Sequence, residues 1–431
     1  MSVTVVLGAQ WGDEAKGKLV DLLSVDADIV ARFNGGDNAG HTVVNQYGTF
    51  KLRLTPNGFS NPKTTCIIGP GVAVNLATLV DEINLIQSRG IELTDRLWIS
   101  PRCHVVMPYH PLIESIYENA KGEALTGSTK RGMGPVFADK VSYNGIRLFD
   151  LADEAVLTEK LITQLSVKNA LFEAFGAELL DINAVKQKLL GYYARICGMV
   201  REPFGLLQEA LLNQAAVVLE GAQGALLDTD WGTYPFCTAS TTLAGGATAG
   251  LGIAPRWISR VIGVAKAYTS RVGNGPMPTE LLDETGEILR REGQEYGTVT
   301  GRPRRCGWFD AELVRFTAQL NGFTEMALTK LDVLDKLPVV RIATGYRQAS
   351  NMVHYWEGDA RWLAGCEPVY VELEGWQQST RSVRKFAQLP RQAQAYVRKV
   401  EELVGVPVSI VSTGPGRDEI IRVLAASYLL T

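Results

Sequence analysis

The apolar run VTVVLG at residues 3–8 is followed at once by Gly12-Asp13-Glu14-Ala15-Lys16-Gly17-Lys18, and this junction constrains the chain more than any other stretch. A strand that turns sharply into a helix points free backbone N–H groups outward at the helix's positive end, a ready site for phosphate. The spacing from Gly12 to Gly17-Lys18 fits the phosphate-loop pattern G-x-x-x-x-G-K. Leu19 stands where that pattern places the Ser or Thr hydroxyl that holds Mg²⁺, so the nearest hard oxygen ligand is the Asp13 carboxylate. Lys18 is the lysine expected on phosphate, with Lys16 read otherwise as a solvated helix charge. Downstream, Gly35-Gly36-Asp37-Asn38-Ala39-Gly40-His41-Thr42 sets His41 among small residues that let a ligand approach the backbone closely, a setting that His104, His110 and His354 lack.

Strand-length apolar runs recur at residues 3–7, 28–33, 65–68, 96–99, 216–219, 261–265, 325–328, 339–343 and 408–411, with helical patterns at 76–88, 111–121, 310–321 and 391–404 between several of them. Such alternation predicts an α/β fold: a large, mainly parallel sheet covered by helices on both faces. From about residue 154 to 213 the pattern turns almost wholly helical, which reads as an insertion on a single α/β domain spanning 1–431, because the candidate motifs are spread over most of the length. With 431 residues, a net charge of −3, 46% hydrophobic and 21% charged residues, the chain is of ordinary globular composition and gives no reason to expect nucleic acid as a partner. Its six cysteines form no C-x-x-C pair and read as reduced thiols in a cytoplasm. The strand begins too early for a signal peptide, and no run of about 18 apolar residues suggests a membrane span.

Two further segments carry chemistry. In Thr329-Lys330-Leu331-Asp332, directly after an apolar run, a carboxylate on a tight turn can accept hydrogen bonds from N1–H and the 2-amino group of guanine, donors that adenine lacks. This favours GTP over ATP. In Gly297-Thr298-Val299-Thr300-Gly301-Arg302-Pro303-Arg304-Arg305, alternate arginines suit a doubly anionic ligand, since the guanidinium fork binds carboxylates bidentately.

Together with LEGAQGALLD, GSTKRGMGP, GTYPFCTAS, AYTSRVGNGPMPTEL and VSTGPGR, these blocks make the sequence resemble the adenylosuccinate synthetase family nearly end to end. The resemblance implies a GTP-dependent ligase that joins L-aspartate to IMP, works as a homodimer and uses Mg²⁺. It implies that Asp13 removes the purine N1 proton, that Asp13 and the Gly40 carbonyl bind the metal, and that His41 hydrogen-bonds the transferred phosphate. GTP would be held by Gly12, Glu14, Ala15, Lys16, Gly17, Lys18, Gly40, His41 and Thr42, and its base by Lys330, Asp332, Ser412 and Gly414. IMP would meet Asp13, Asn38, Thr129, Thr238, Arg302 and Gln223, the last also counted as catalytic. Val272, Thr298, Val299, Thr300, Arg302 and Arg304 would receive aspartate.

The sequence departs from the family pattern at four places. Ala15 replaces a Gly, so a positive φ there would carry strain of about 1–2 kcal/mol or force a shifted path. Tyr143 stands where an Arg reaches across the dimer to the substrate phosphate, Val299 replaces a Thr beside the aspartate clamp, and Asn34 replaces a Gln near the purine. Three of these four lie on the substrate side, which leaves open a paralogue that uses another purine such as dGMP. A GTP-binding switch without ligase activity is the alternative from another class.

Overall fold

The structure, a computed structural model, describes residues 2–122, 126–297 and 301–423. Its centre is a nine-stranded sheet. In chain order the strands are β1 (Ser2–Gly8), β2 (Ile29–Arg32), β3 (Thr65–Ile68), β4 (Leu97–Ile99), β5 (Ala216–Glu220), β6 (Ile258–Lys266), β7 (Glu325–Thr329), β8 (Val408–Ser412) and β9 (Ile420–Arg422). Across the sheet they run β9-β8-β7-β6-β1-β5-β2-β3-β4, and every neighbouring pair is parallel except β8 with β9. The fold is therefore the expected α/β architecture around a mainly parallel sheet.

Strand β1 sits centrally, with Val6 opposite Glu220 of β5 and Ile262 of β6. Successive side chains of a strand point to opposite faces, and both faces of β1 are covered. Val3, Val5 and Leu7 join one core, while Val6 packs in another with Leu19 and Val20 of α1 (Lys16–Leu23). Burial on both sides is why the strand reads as an unbroken apolar run.

Residues 339–343 form a strand as expected, but outside this sheet. Val339–Gln348 runs antiparallel to Glu367–Glu374 and Asn351–Val353, in a separate four-stranded sheet completed by Phe309–Asp310. Between residues 154 and 213 lie the helices Glu154–Ala174, Ile182–Ile196 and Phe204–Leu212. Leu157, Leu161 and Leu165 of the first share a core with Cys66, Ile68, Leu97 and Ile99 from the β3–β4 edge. Among the described residues no helix is long and apolar enough to cross a membrane, and all six cysteines are free.

Candidate active site

The loops that leave the carboxyl ends of the parallel strands line one large cavity of about 1050 Å³. Ligands in open parallel sheets bind at this edge. Into the cavity project residues of the β1–α1 loop, of the segment after β2, of Gly221–Gln223 after β5, of the turn after β7 and of Ser412–Gly414 at the end of β8.

The phosphate loop is built from within. Glu14 is completely buried, and its carboxylate accepts from the backbone N–H of Gln10 (3.1 Å) and Gly12 (2.8 Å) and pairs with the Lys16 ammonium at 2.7 Å. A Cβ on Gly8 would stand 2.4 Å from a Glu14 oxygen, so only glycine fits at that position. The Glu14 side chain thus shapes the loop and does not line the cavity. Lys16 is likewise no solvated charge: its side chain is 11% exposed and committed to Glu14. Helix α1 has no side-chain N-cap and no acidic residue in its first turn. Lysines there oppose the helix dipole, an arrangement that an incoming polyanion relieves.

Ala15 takes φ 66°, in the left-handed region, so the loop keeps the glycine path and bears the strain. Asp13 (φ 60°) and Gln223 (φ 59°) share that conformation. Strained backbone of this kind gathers at functional sites.

Lys18 does not lie free beside a phosphate site. Its ammonium donates to Ser412 Oγ (2.8 Å), the Gly414 carbonyl (2.7 Å) and the Glu419 carbonyl (2.9 Å), fastening α1 to the loop after β8. Burial pushes its pKa down to about 8 against the pull of Glu419 and Asp332. Asp332, 8% exposed at its side chain, faces the same region and meets Arg381 at 3.3 Å; burial raises its pKa. Asp332, Val333, Ser412 and Gly414 all line this end of the cavity, together with Lys330.

Asp13 lies in the middle. Its carboxylate is 3.0 Å from Nε of Arg304, whose Nη1 donates at 2.7 Å to the buried Glu295. Nearby, Gln223 Nε2 donates to Asn38 Oδ1 (3.0 Å), and Asn38 Nδ2 lies 3.5 Å from the Thr238 hydroxyl. Gln223 Oε1 is buried without a partner. Gly12, Ala15, Gly17, Gly40, Thr42, Thr129 and Val272 also line the cavity.

His41 begins a hairpin strand, His41–Asn45, paired with Gly48–Leu52. Burial, reinforced by the Arg32 and Lys16 charges, pushes its pKa down to about 3, so the imidazole is neutral at physiological pH. Its Nε2 is buried and unpartnered.

Arg302 is exposed and outside the cavity lining, and the expected contacts Thr298, Val299 and Thr300 lie outside the described residues. Asn34 is buried behind the lining, where its Oδ1 accepts from the Ala222 N–H at 2.8 Å beside Gln223. Tyr143 is 97% exposed.

Sequence reasoning missed Glu295, Arg32 and Lys266. The latter two left a signal, since each is a charged residue ending an apolar strand and each is buried at the sheet's carboxyl edge. Arg32 spends its guanidinium on the carbonyls of Asn34 (3.3 Å), Gly36 (3.0 Å) and Arg53, which fixes the backbone leading to His41.

The family model described as adenylosuccinate synthetase matches residues 5–421. The chain belongs to the adenylosuccinate synthetase family. The adenylosuccinate synthetase of Heliobacterium modesticaldum is 46% identical over 423 residues, covering 98% of this chain and 99% of the relative. The fully ligated adenylosuccinate synthetase from Plasmodium falciparum superposes with a TM-score of 0.93 at 34% identity, covering 98% of this chain and all of that one. A succinoaminodeoxyadenylate synthetase of cyanophage S-2L, bound to dGMP and dATP, has a TM-score of 0.62 at 21% identity over 98% of this chain and 95% of its own, and shares the fold. As an adenylosuccinate synthetase the chain is a GTP-dependent ligase of purine biosynthesis that joins aspartate to IMP. Neither a dGMP-type acceptor nor a switch without ligase activity is favoured.

Proposed function

We propose that Asp13 is the base of this ligation and Arg304 the receptor for the aspartate carboxylates. The observation that carries this reading is their 3.0 Å contact in a cavity that holds the guanine-side residues at one end and Asn38, Gln223 and Thr238 beside them. Asp13 takes the proton from N1 of IMP, which makes O6 nucleophilic; O6 then bonds to the γ-phosphorus of GTP, and GDP leaves. The amino group of aspartate next attacks C6, the C6–O6 bond breaks, and inorganic phosphate departs with O6. A neutral His41 has one N–H to offer the phosphoryl oxygens and brings no charge that needs neutralising.

Asn38, Thr129 and Thr238 are suited to the IMP phosphate and Gln223 to the nucleotide, while Asp332, Ser412 and Gly414 form the guanine end. Among the described residues no group of three His, Cys, Asp or Glu is placed to hold a metal. Mg²⁺ fits a different donor set, one carboxylate and one carbonyl completed by substrate phosphates, which Asp13 and Gly40 supply. Such an ion, when bound, would neutralise charge on the GTP phosphates.

A homodimer is proposed too, supported by the exposure of Tyr143, at 97% of its surface; sedimentation at micromolar concentration tests it. The shared core of the 154–212 helices with the β3–β4 edge supports one co-folded domain, and the free cysteines suit a reducing cytoplasm. IMP labelled with ¹⁸O at C6 tests the chemistry: the label should leave in inorganic phosphate, and its retention in the nucleotide overturns the sequence of steps.

A further inference from the structure

Glu295 is completely buried, and its two oxygens serve two different parts of the site. Oε1 accepts from the Lys330 ammonium at 2.6 Å and from the Tyr268 hydroxyl, with the Lys266 ammonium at 3.3 Å. Oε2 accepts from Arg304 Nη1 at 2.7 Å and from Ser270 Oγ at 3.1 Å.

Two of those contacts, with Lys330 and with Arg304, lead on to other residues of the site. Lys330, held in a left-handed conformation at φ 57°, starts the turn that presents Asp332, and its ammonium also donates to the Gly293 carbonyl at 2.9 Å. Arg304, fixed by Glu295 through Nη1, turns its Nε edge to Asp13. A continuous series of charged contacts therefore runs Asp332 turn, Lys330, Glu295, Arg304, Asp13. Burial disfavours an ionised Glu295, yet Lys266, Lys330 and Arg304 together hold its carboxyl well below the usual range. Removing that one charge would leave the buried cations Lys266 and Arg304 and the half-buried Lys330 facing each other, so the arrangement depends on it.

We propose that Glu295 is a positioning residue that couples the aspartate-receiving arginine to the guanine-reading turn, so that a change at one is felt at the other. This rests on the roles given above to Arg304 and Asp332. The coupling has a physical carrier, because both ends hold the same rigid carboxylate and neither can reorient without releasing it.

The test is a kinetic double-mutant cycle. Glu295→Gln should raise KM for aspartate and KM for GTP each by about tenfold while leaving KM for IMP within about twofold, as expected for loss of a charged hydrogen bond on two sides. Lys330→Met should raise KM for aspartate severalfold although Lys330 touches neither Asp13 nor Arg304, and it should add little in the Glu295→Gln background. If Glu295→Gln does not fold, the Lys330→Met arm still decides. An unchanged KM for aspartate in Lys330→Met overturns the proposal, as does an equal rise of all three constants with a lowered melting temperature in Glu295→Gln. Arg304→Leu separates the two readings: an unchanged aspartate KM removes the clamp itself, whereas a large rise there without effects at Glu295 and Lys330 removes only the coupling.

Discussion

Arg304 lies 3.0 Å from Asp13, so the carboxylate proposed as base is already paired with the guanidinium proposed to receive aspartate. An arriving aspartate competes for the same guanidinium and would loosen that pairing. The two proposed roles thus share one contact, which the second substrate would have to open.

Replacing Asp13 by Ala should lower kcat by about two to four orders of magnitude, the usual worth of a positioned general base. Affinity for GTP measured without Mg²⁺ should change little, because the loop is shaped by Glu14 and not by Asp13. Single-turnover rates alongside equilibrium binding of a non-hydrolysable GTP analogue measure the two effects separately. A variant with near-parental turnover would remove Asp13 from the chemistry.

His41 predicts an acid sensitivity. Its folded pKa of about 3 lies below the ordinary histidine value of 6.5, so between those values the unfolded chain binds a proton at this ring that the folded chain does not. Its stabilising contribution is complete above the upper value and is lost as pH falls toward the lower one. Urea titrations at about pH 7 and about pH 5 should show the parent losing more stability on acidification than His41→Gln. The pH profile of kcat should also lack a limb from His41 in the neutral range.

Ala15→Gly should stabilise the fold. A left-handed alanine costs about 1–2 kcal/mol, and glycine gives back about 0.4–1 kcal/mol through the greater freedom of the unfolded chain, so the net gain is about 0.8 kcal/mol at the midpoints of the two ranges. Unfolding free energies of the two proteins in urea measure it. Equal stabilities would mean that the φ of 66° at this position is not a source of strain.

The parallel strands were legible because burial on both faces leaves them almost wholly apolar, as in β1 and β2. Residues 339–343 looked the same, yet their partner strand Glu367–Glu374 is half-buried through its middle with exposed glutamates toward both ends, and nothing local says which sheet such a pair joins. The site was legible where it depends on loops that leave strands, at Gly12–Lys18 and at Lys330–Asp332. It was hidden where it depends on pairing over long distances in the chain. Nothing around Glu295 marks it, since its importance comes from Lys266, Arg304 and Lys330 converging on it. The hold of residues 412–419 on Lys18 is likewise a property of the fold, spanning almost the whole sequence.

Asp332 should decide the choice of nucleotide. Its carboxylate is nearly buried beside Ser412 and Gly414, and its ion-pair partner among the described residues, Arg381, is itself 61% exposed. Guanine brings two donors to that carboxylate and satisfies it, whereas adenine would displace water and leave a buried charge unpaired, at a cost of about 1–3 kcal/mol or more. Asp332→Asn offers guanine one acceptor and one mismatched donor, so it should weaken GTP and narrow its advantage over ATP by about 10- to 100-fold in kcat/KM. Burial raises the Asp332 pKa, so the parent's preference for GTP should diminish on acidification, as the carboxyl gains a proton and loses its double-acceptor character. The Asn variant, which cannot titrate there, should show no such change. Steady-state rates with GTP and ATP across acidic to neutral pH measure both effects, and an undiminished GTP preference in the variant would place base recognition elsewhere in the cavity.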